Sequence, residues 1–122
     1  MAQILVIEDD DMMMEMYQDF FERRGDKTVC YARGNMLIGD LNRNGGIAYD
    51  LAIADRTLPD TSGDMIVDKL KQRYPQRPII KISGRDYPCP RGLRPSDSFL
   101  DKPFDLKELG DLVDRLLKFR QR

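Results

Sequence analysis

Tyr49 to Gly63 reads YDLAIADRTLPDTSG. A short apolar run, Leu51 to Ala54, ends on Asp55 and gives way at once to turn residues Pro59, Asp60, Ser62 and Gly63. A helical pattern begins only after Gly63, with Ile66, Val67 and Leu70 on one face. A carboxylate at the end of a buried strand is costly to desolvate unless something pairs with it. Taken alone, Asp55 is as readily a polar strand cap as a reactive group, so its meaning depends on what the rest of the chain brings beside it.

Upstream, Gln3 to Ile7 is a continuous β-branched run of the kind covered on both faces of a sheet, and it ends in the acids Glu8 to Asp11. A helix is expected over Met12 to Arg24, with Met13, Met16, Tyr17, Phe20 and Phe21 on one side and Gly25 as its stop. The methionine spacing is helical and fits core packing better than metal ligation. Lys27 to Ala32 reads as a second strand, Asn35 to Asn44 as a weaker helix, and Tyr49 to Ala54 as the third strand. Met65 to Tyr74 is the next helix, closed by Pro75. Ile79 to Ile82 is a fourth strand ending at Ser83 and Gly84, and Ser98 to Leu100 a short fifth. A last helix over Leu106 to Phe119 buries Leu106, Leu109, Leu112, Val113, Leu116 and Leu117, with Asp105 as its N-cap.

Strand and helix alternate throughout, which argues for an α/β fold with a parallel sheet and right-handed crossovers. Ligands of such sheets gather beyond the carboxyl ends of the strands, where strand order reverses. Glu8, Asp9, Asp55, Ser83 and the loop after the fifth strand would then share one rim. Three carboxylates so placed repel and call for protonation or a cation, and hard oxygen ligands suit Mg²⁺. Lys102, in FLDKPF, can neutralise the site and hold a phosphoryl oxygen as a point charge, while Ser83 offers a hydroxyl donor. Singly, Ser83 is a turn residue, Lys102 a solvated lysine, and Asp10 and Asp11 helix caps. Together, acids, hydroxyl and lysine describe a site that takes a phosphoryl group onto a carboxylate.

Composition narrows the alternatives. The 122 residues suffice for one domain with one core, and the 41% hydrophobic and 34% charged content is that of a globular chain. A net charge of −1, from 20 basic and 21 acidic residues, gives no electrostatic case for nucleic acid or an anionic membrane. With no histidine and only Cys30 and Cys89, the composition counts strongly against a zinc site, and Ser-His-Asp or Cys-His catalysis is excluded. The cysteines read as two reduced thiols of a cytoplasmic protein, although spacing alone leaves a bridge open. No run approaches a membrane span and the start MAQILVIEDD carries no basic leader. Met1 just ahead of the first strand fits a natural N-terminus.

The chain resembles the receiver domain of two-component response regulators over essentially its whole length, 1–122, as one domain. The matching motifs are ILVIEDD, D-x-x-LP-x-x-x-G from Asp55 to Gly63, Ile82-Ser83, and Lys102-Pro103-Phe104. The resemblance implies a flavodoxin-like, doubly wound (βα)5 sheet with strand order 2-1-3-4-5. It implies that Asp55 accepts a phosphoryl group from phosphohistidine on a histidine kinase or phosphotransfer protein. Mg²⁺ would be bound by Asp9 and Asp55, by Glu8 through water, and by the Thr57 backbone carbonyl. Ser83 and Lys102 would hold the phosphoryl group. Phe99 matches the aromatic switch position and, lacking the hydroxyl of tyrosine, would switch by packing alone.

The domain is then a signalling module and no conventional enzyme: it promotes its own phosphorylation and dephosphorylation and acts on a downstream protein target, with Thr57 and Arg85 controlling water access. One stretch departs from the pattern. GRDYPCPRGLRPSDS, 84–98, contains Pro88, Pro90, Pro95 and Gly92 and predicts a short or absent fourth helix. That departure motivates an alternative, a phosphorylation-independent adaptor, against which the retained acids, Ser83 and Lys102 count. A flavin carrier on the same sheet is weaker still, because the first strand–helix turn is acidic where a flavin phosphate needs a Ser/Thr/Gly-rich cradle.

Overall fold

The structure, a computed structural model, describes residues 1–43, 45–56, 58–83 and 97–120, without the side chains of Asp97, Phe119 and Arg120. The chain alternates β1 (Gln3–Ile7), α1 (Asp11–Arg23), β2 (Lys27–Tyr31), α2 (Gly34–Leu41), β3 (Leu51–Asp55), α3 (Gly63–Arg73), β4 (Ile79–Ser83), β5 (Asp97–Asp101) and α4 (Leu106–Arg120). The five strands are parallel in the order β2-β1-β3-β4-β5, the doubly wound topology the sequence implies. Four helices are present among the described residues; the expected short or absent fourth helix falls on 84–96, outside them, as do Thr57, Arg85 and Cys89. Cys30 is a free, half-buried thiol.

Strand periodicity sorts the core into two layers. Ile4, Val6, Ile53, Ile80, Ile82 and Leu100 face α1 and α4. Leu5, Ile7, Ala52, Ala54 and Ile79 face α2 and α3. Every residue of β3 is buried, which is why it reads as an unbroken apolar run up to its terminal carboxylate.

Helix ends follow local chemistry. Asp10 caps α1 by accepting from Met12 N, and Gly25, at φ 83°, provides the left-handed turn beyond it. Ser62 caps α3 through Met65 N, and Tyr74 leaves the helical region at φ −129° and ψ 71° before Pro75. Asp105 accepts from Glu108 N at 2.7 Å, the expected cap of α4. One expectation is corrected: Leu106 is 38% exposed, in a first turn of α4 whose residues 106–108 are all exposed, and the buried stripe begins at Leu109.

Candidate functional site

Strand order reverses between β1 and β3, and their carboxyl ends carry the acids. Glu8 and Asp9 follow β1 directly, and Asp55 is the last residue of β3. One carboxylate oxygen from each of the three lies within 4.8 Å of the others. Glu8 and Asp55 are buried, whereas Asp9 is exposed at the rim. Lys102 Nζ stands 3.6 Å from Asp55 Oδ2 and 3.8 Å from Glu8 Oε1. Its backbone N–H donates to the Ser83 carbonyl at 2.8 Å, and the Lys102–Pro103 peptide is cis. Ile82 is the register partner of Asp55, so fully buried Ser83 sits one residue further along the rim. Its Oγ makes a long 3.5 Å contact to Asp101 Oδ1.

Buried Glu8 is the electrostatic centre of this arrangement. Burial first, then a hydrogen bond with Asp55 and the Asp55 charge, push its carboxyl from 4.5 up to about 8; the Asp10 N–H and the Lys102 ammonium pull the other way. Glu8 Oε2 accepts from Asp10 N at 3.2 Å, while Oε1 is buried with no hydrogen-bond partner among the described residues. An orphaned buried oxygen beside two further carboxylates is a donor set that fits a hard divalent cation. Mg²⁺ would be held by Asp9 and Asp55 with Glu8 behind them; the Thr57 carbonyl lies outside the described residues.

A pH dependence follows. The unfolded chain ionises Glu8 near 4.5, while the folded, metal-free protein keeps the proton to about 8. Stability without metal is therefore expected to fall as pH rises through that window, because the folded state binds more protons there. A cation takes the proton's place, so saturating Mg²⁺ should flatten the slope and bind more tightly as pH rises. Denaturant unfolding on either side of the window, with chelator and with Mg²⁺, measures both; a chelated protein with no pH slope there would contradict it.

The Asp55–Gly63 turn is pinned on two sides. Gly63 approaches β3 so closely that a Cβ would lie 2.2 Å from the Asp55 carbonyl oxygen. Asp60 accepts from Gly34 N and Asn35 N at 3.0 and 2.9 Å, capping α2 from another segment. The local N-cap position, Arg33, makes no side-chain cap bond, and the two amide donors, Asn35 foremost, hold the Asp60 carboxyl below its usual range. Asp60→Ala is accordingly expected to fray α2, read as faster amide exchange over Gly34 to Leu41 with α1 unchanged. Sequence reasoning took Asp60 for a turn residue; its capping role depends on a contact across 26 positions.

Sequence reasoning also missed what surrounds Phe99. Arg56, immediately after Asp55, places its guanidinium 5.6 Å from the Phe99 ring centroid, and Lys81 Nζ lies at 5.6 Å. Two cations therefore face this ring. A cation directly after Asp55, where a strand of buried apolar residues ends, was the available signal. Tyr17, called only as core, stacks against Phe104 at 6.4 Å, and its buried hydroxyl has no hydrogen-bond partner among the described residues.

A family model for the response regulator receiver domain matches residues 4–114. The chain belongs to the response regulator receiver domain family. The receiver is 31% identical over 118 residues to the transcriptional regulatory protein CssR of Bacillus subtilis (strain 168), covering 94% of this chain and 51% of CssR. It is 34% identical over 120 residues to the transcriptional activator protein PfeR of Pseudomonas aeruginosa, covering 95% of this chain and 38% of PfeR. The chain thus spans about half or less of the length of these two relatives.

Among solved structures, the receiver domain of the hybrid histidine kinase CckA is 26% identical with a TM-score of 0.74, covering 95% of this chain and 99% of that one. A CheY-like receiver domain protein from Methanospirillum hungatei JF-1 shares the fold at a TM-score of 0.86 and 19% identity, covering 99% and 97% of the two chains. No helix among the described residues is long and apolar enough to cross a membrane.

Proposed function

We propose that residues 1–122 form a single receiver that accepts a phosphoryl group onto Asp55 from phosphohistidine on a histidine kinase or phosphotransfer protein. The carrying observation is the convergence of Glu8, Asp9 and Asp55 oxygens within 4.8 Å beside the Lys102 ammonium. An Asp55 carboxylate oxygen attacks phosphorus, the P–N bond breaks, and its electron pair leaves on the imidazole nitrogen. Bound Mg²⁺ supplies charge neutralisation for the transferring oxygens. Lys102 pairs with the phosphoryl oxygens, Ser83 donates its hydroxyl to one of them, and the Thr57 carbonyl would serve as a further ligand to the metal. Phe99 reports the change to a downstream protein. Transfer and later hydrolysis are promoted by the receiver's own residues, with Thr57 and Arg85 governing access of water. The setting consistent with a kinase donor is the cytoplasm.

Phosphotransfer from a ³²P-labelled phosphohistidine protein tests this reading. Label is expected on the wild-type chain only with Mg²⁺, in an alkali-labile acyl phosphate, and to be absent from Asp55→Asn. Label retained by Asp55→Asn would overturn it.

A further inference from the structure

Lys81 on β4 and Phe99 on β5 are register partners on the sheet face that carries α2 and α3. Asp64, in the first turn of α3, accepts from Arg56 Nε at 3.2 Å and from Nη2 at 3.0 Å, a bidentate pairing. Lys81 Nζ is 3.9 Å from the same carboxylate. Two cations thus converge on one ring and one carboxylate. The Arg56 and Lys81 side chains are only 11% and 15% exposed, against 50% for Asp64. Cations so far removed from water, both within about 6 Å of a ring centroid, are in the range where attraction to the ring face is strongest. An ion pair serving only α3 would not need Lys81 or the ring; here Asp64 is what lets two like charges share the aromatic.

We propose that Arg56 and Lys81, tied together by Asp64, are positioning residues that clamp the Phe99 ring in its resting orientation and so set how readily it moves when Asp55 is modified. The inference rests on the receiver reading for its second half only. Arg56 adjoins Asp55 in the chain, and its backbone N–H donates to the Ile82 carbonyl at 3.1 Å, so clamp and phosphoacceptor share one rigid corner.

The test incorporates 4-fluorophenylalanine and follows the ¹⁹F resonance assigned through Phe99→Leu, in wild type, Arg56→Met, Arg56→Lys, Lys81→Met and Asp64→Asn. In the unphosphorylated protein, Arg56→Met and Asp64→Asn are expected to shift and broaden the Phe99 signal, with alternative ring orientations populated about three- to tenfold more. Arg56→Lys should fall between, keeping the charge without the bidentate fork, and Lys81→Met should move the signal in the same direction. The other four fluorophenylalanine signals report that each variant is folded. A Phe99 resonance unchanged in folded Arg56→Met, Asp64→Asn and Lys81→Met overturns the clamp. Adding Mg²⁺ and beryllofluoride, a phosphoryl analogue, should move the signal further in variants than in wild type at equal occupancy. A wild type that binds no beryllofluoride would count against the receiver reading, while the unliganded comparison still decides the clamp.

Discussion

Replacing Lys102 with alanine is expected to separate two properties of the site: phosphorylation of Asp55 slows by roughly 10²- to 10³-fold while Mg²⁺ binding is kept or tightened. The reason lies in what the ammonium touches. It stands 3.6 and 3.8 Å from Asp55 and Glu8, close enough to offset the Asp55 charge without metal but not to hydrogen-bond to either. Before transfer the ammonium competes with a divalent cation for the same carboxylates, so its removal favours the metal. During transfer, charge spreads over three phosphoryl oxygens, and a fixed cation placed for them is worth more than it is in the resting state. Calorimetric titration of Mg²⁺ and a time course with acetyl phosphate measure the two effects separately. Parallel losses of metal affinity and transfer rate would instead mean that Lys102 merely holds the pocket together.

The second large effect concerns stability. Gly63→Ala is expected to cost about 3 kcal/mol, the upper range for overpacking a close-packed site, and to lower the melting temperature by roughly 10 °C. The added Cβ meets backbone, 2.2 Å from the Asp55 carbonyl oxygen and 2.5 Å from Arg56 Cα, so no side-chain rearrangement can relieve it. Either α3 moves off the sheet or Asp55 moves out of the acid cluster. Gly39→Ala is the matched control: nothing among the described residues lies within 4 Å of its added Cβ in α2. There the change should stabilise by about 0.5–1 kcal/mol, because alanine loses less chain entropy in a helix. Thermal unfolding of both variants against wild type gives the comparison. Equal melting temperatures would show that the turn yields more easily than the contact distances imply.

The architecture was readable because buried parallel strands write themselves as unbroken apolar runs. All five strands were placed within two residues, and the acids and Lys102 stood out by following them directly. Helix ends drifted by up to three residues, as at α2, whose expected end at Asn44 lies beyond the last helical residue Leu41. What escaped was set by tertiary register. Arg56 and Asp64 look like ordinary turn and helix charges until α3 folds back over β3, and Lys81 is a neighbour of Phe99 only because β4 and β5 pair in that register. Asp60 as a cap for α2 and Leu106 in the exposed first turn of α4 are the same kind of miss, one a long-range hydrogen bond and the other a matter of tertiary burial. The surroundings of Phe99 escaped for that reason too: its aromatic character was visible, the cations facing it were not.

Intact mass after incubation with acetyl phosphate and Mg²⁺ tests the central claim most directly, with Asp55→Asn and a chelated sample alongside. The predicted result is a single phosphate-sized adduct on the wild-type chain, absent from Asp55→Asn and absent with chelator. An adduct that persists in Asp55→Asn, or no adduct on a folded wild-type protein that binds Mg²⁺, would contradict the account of Asp55 as phosphoacceptor.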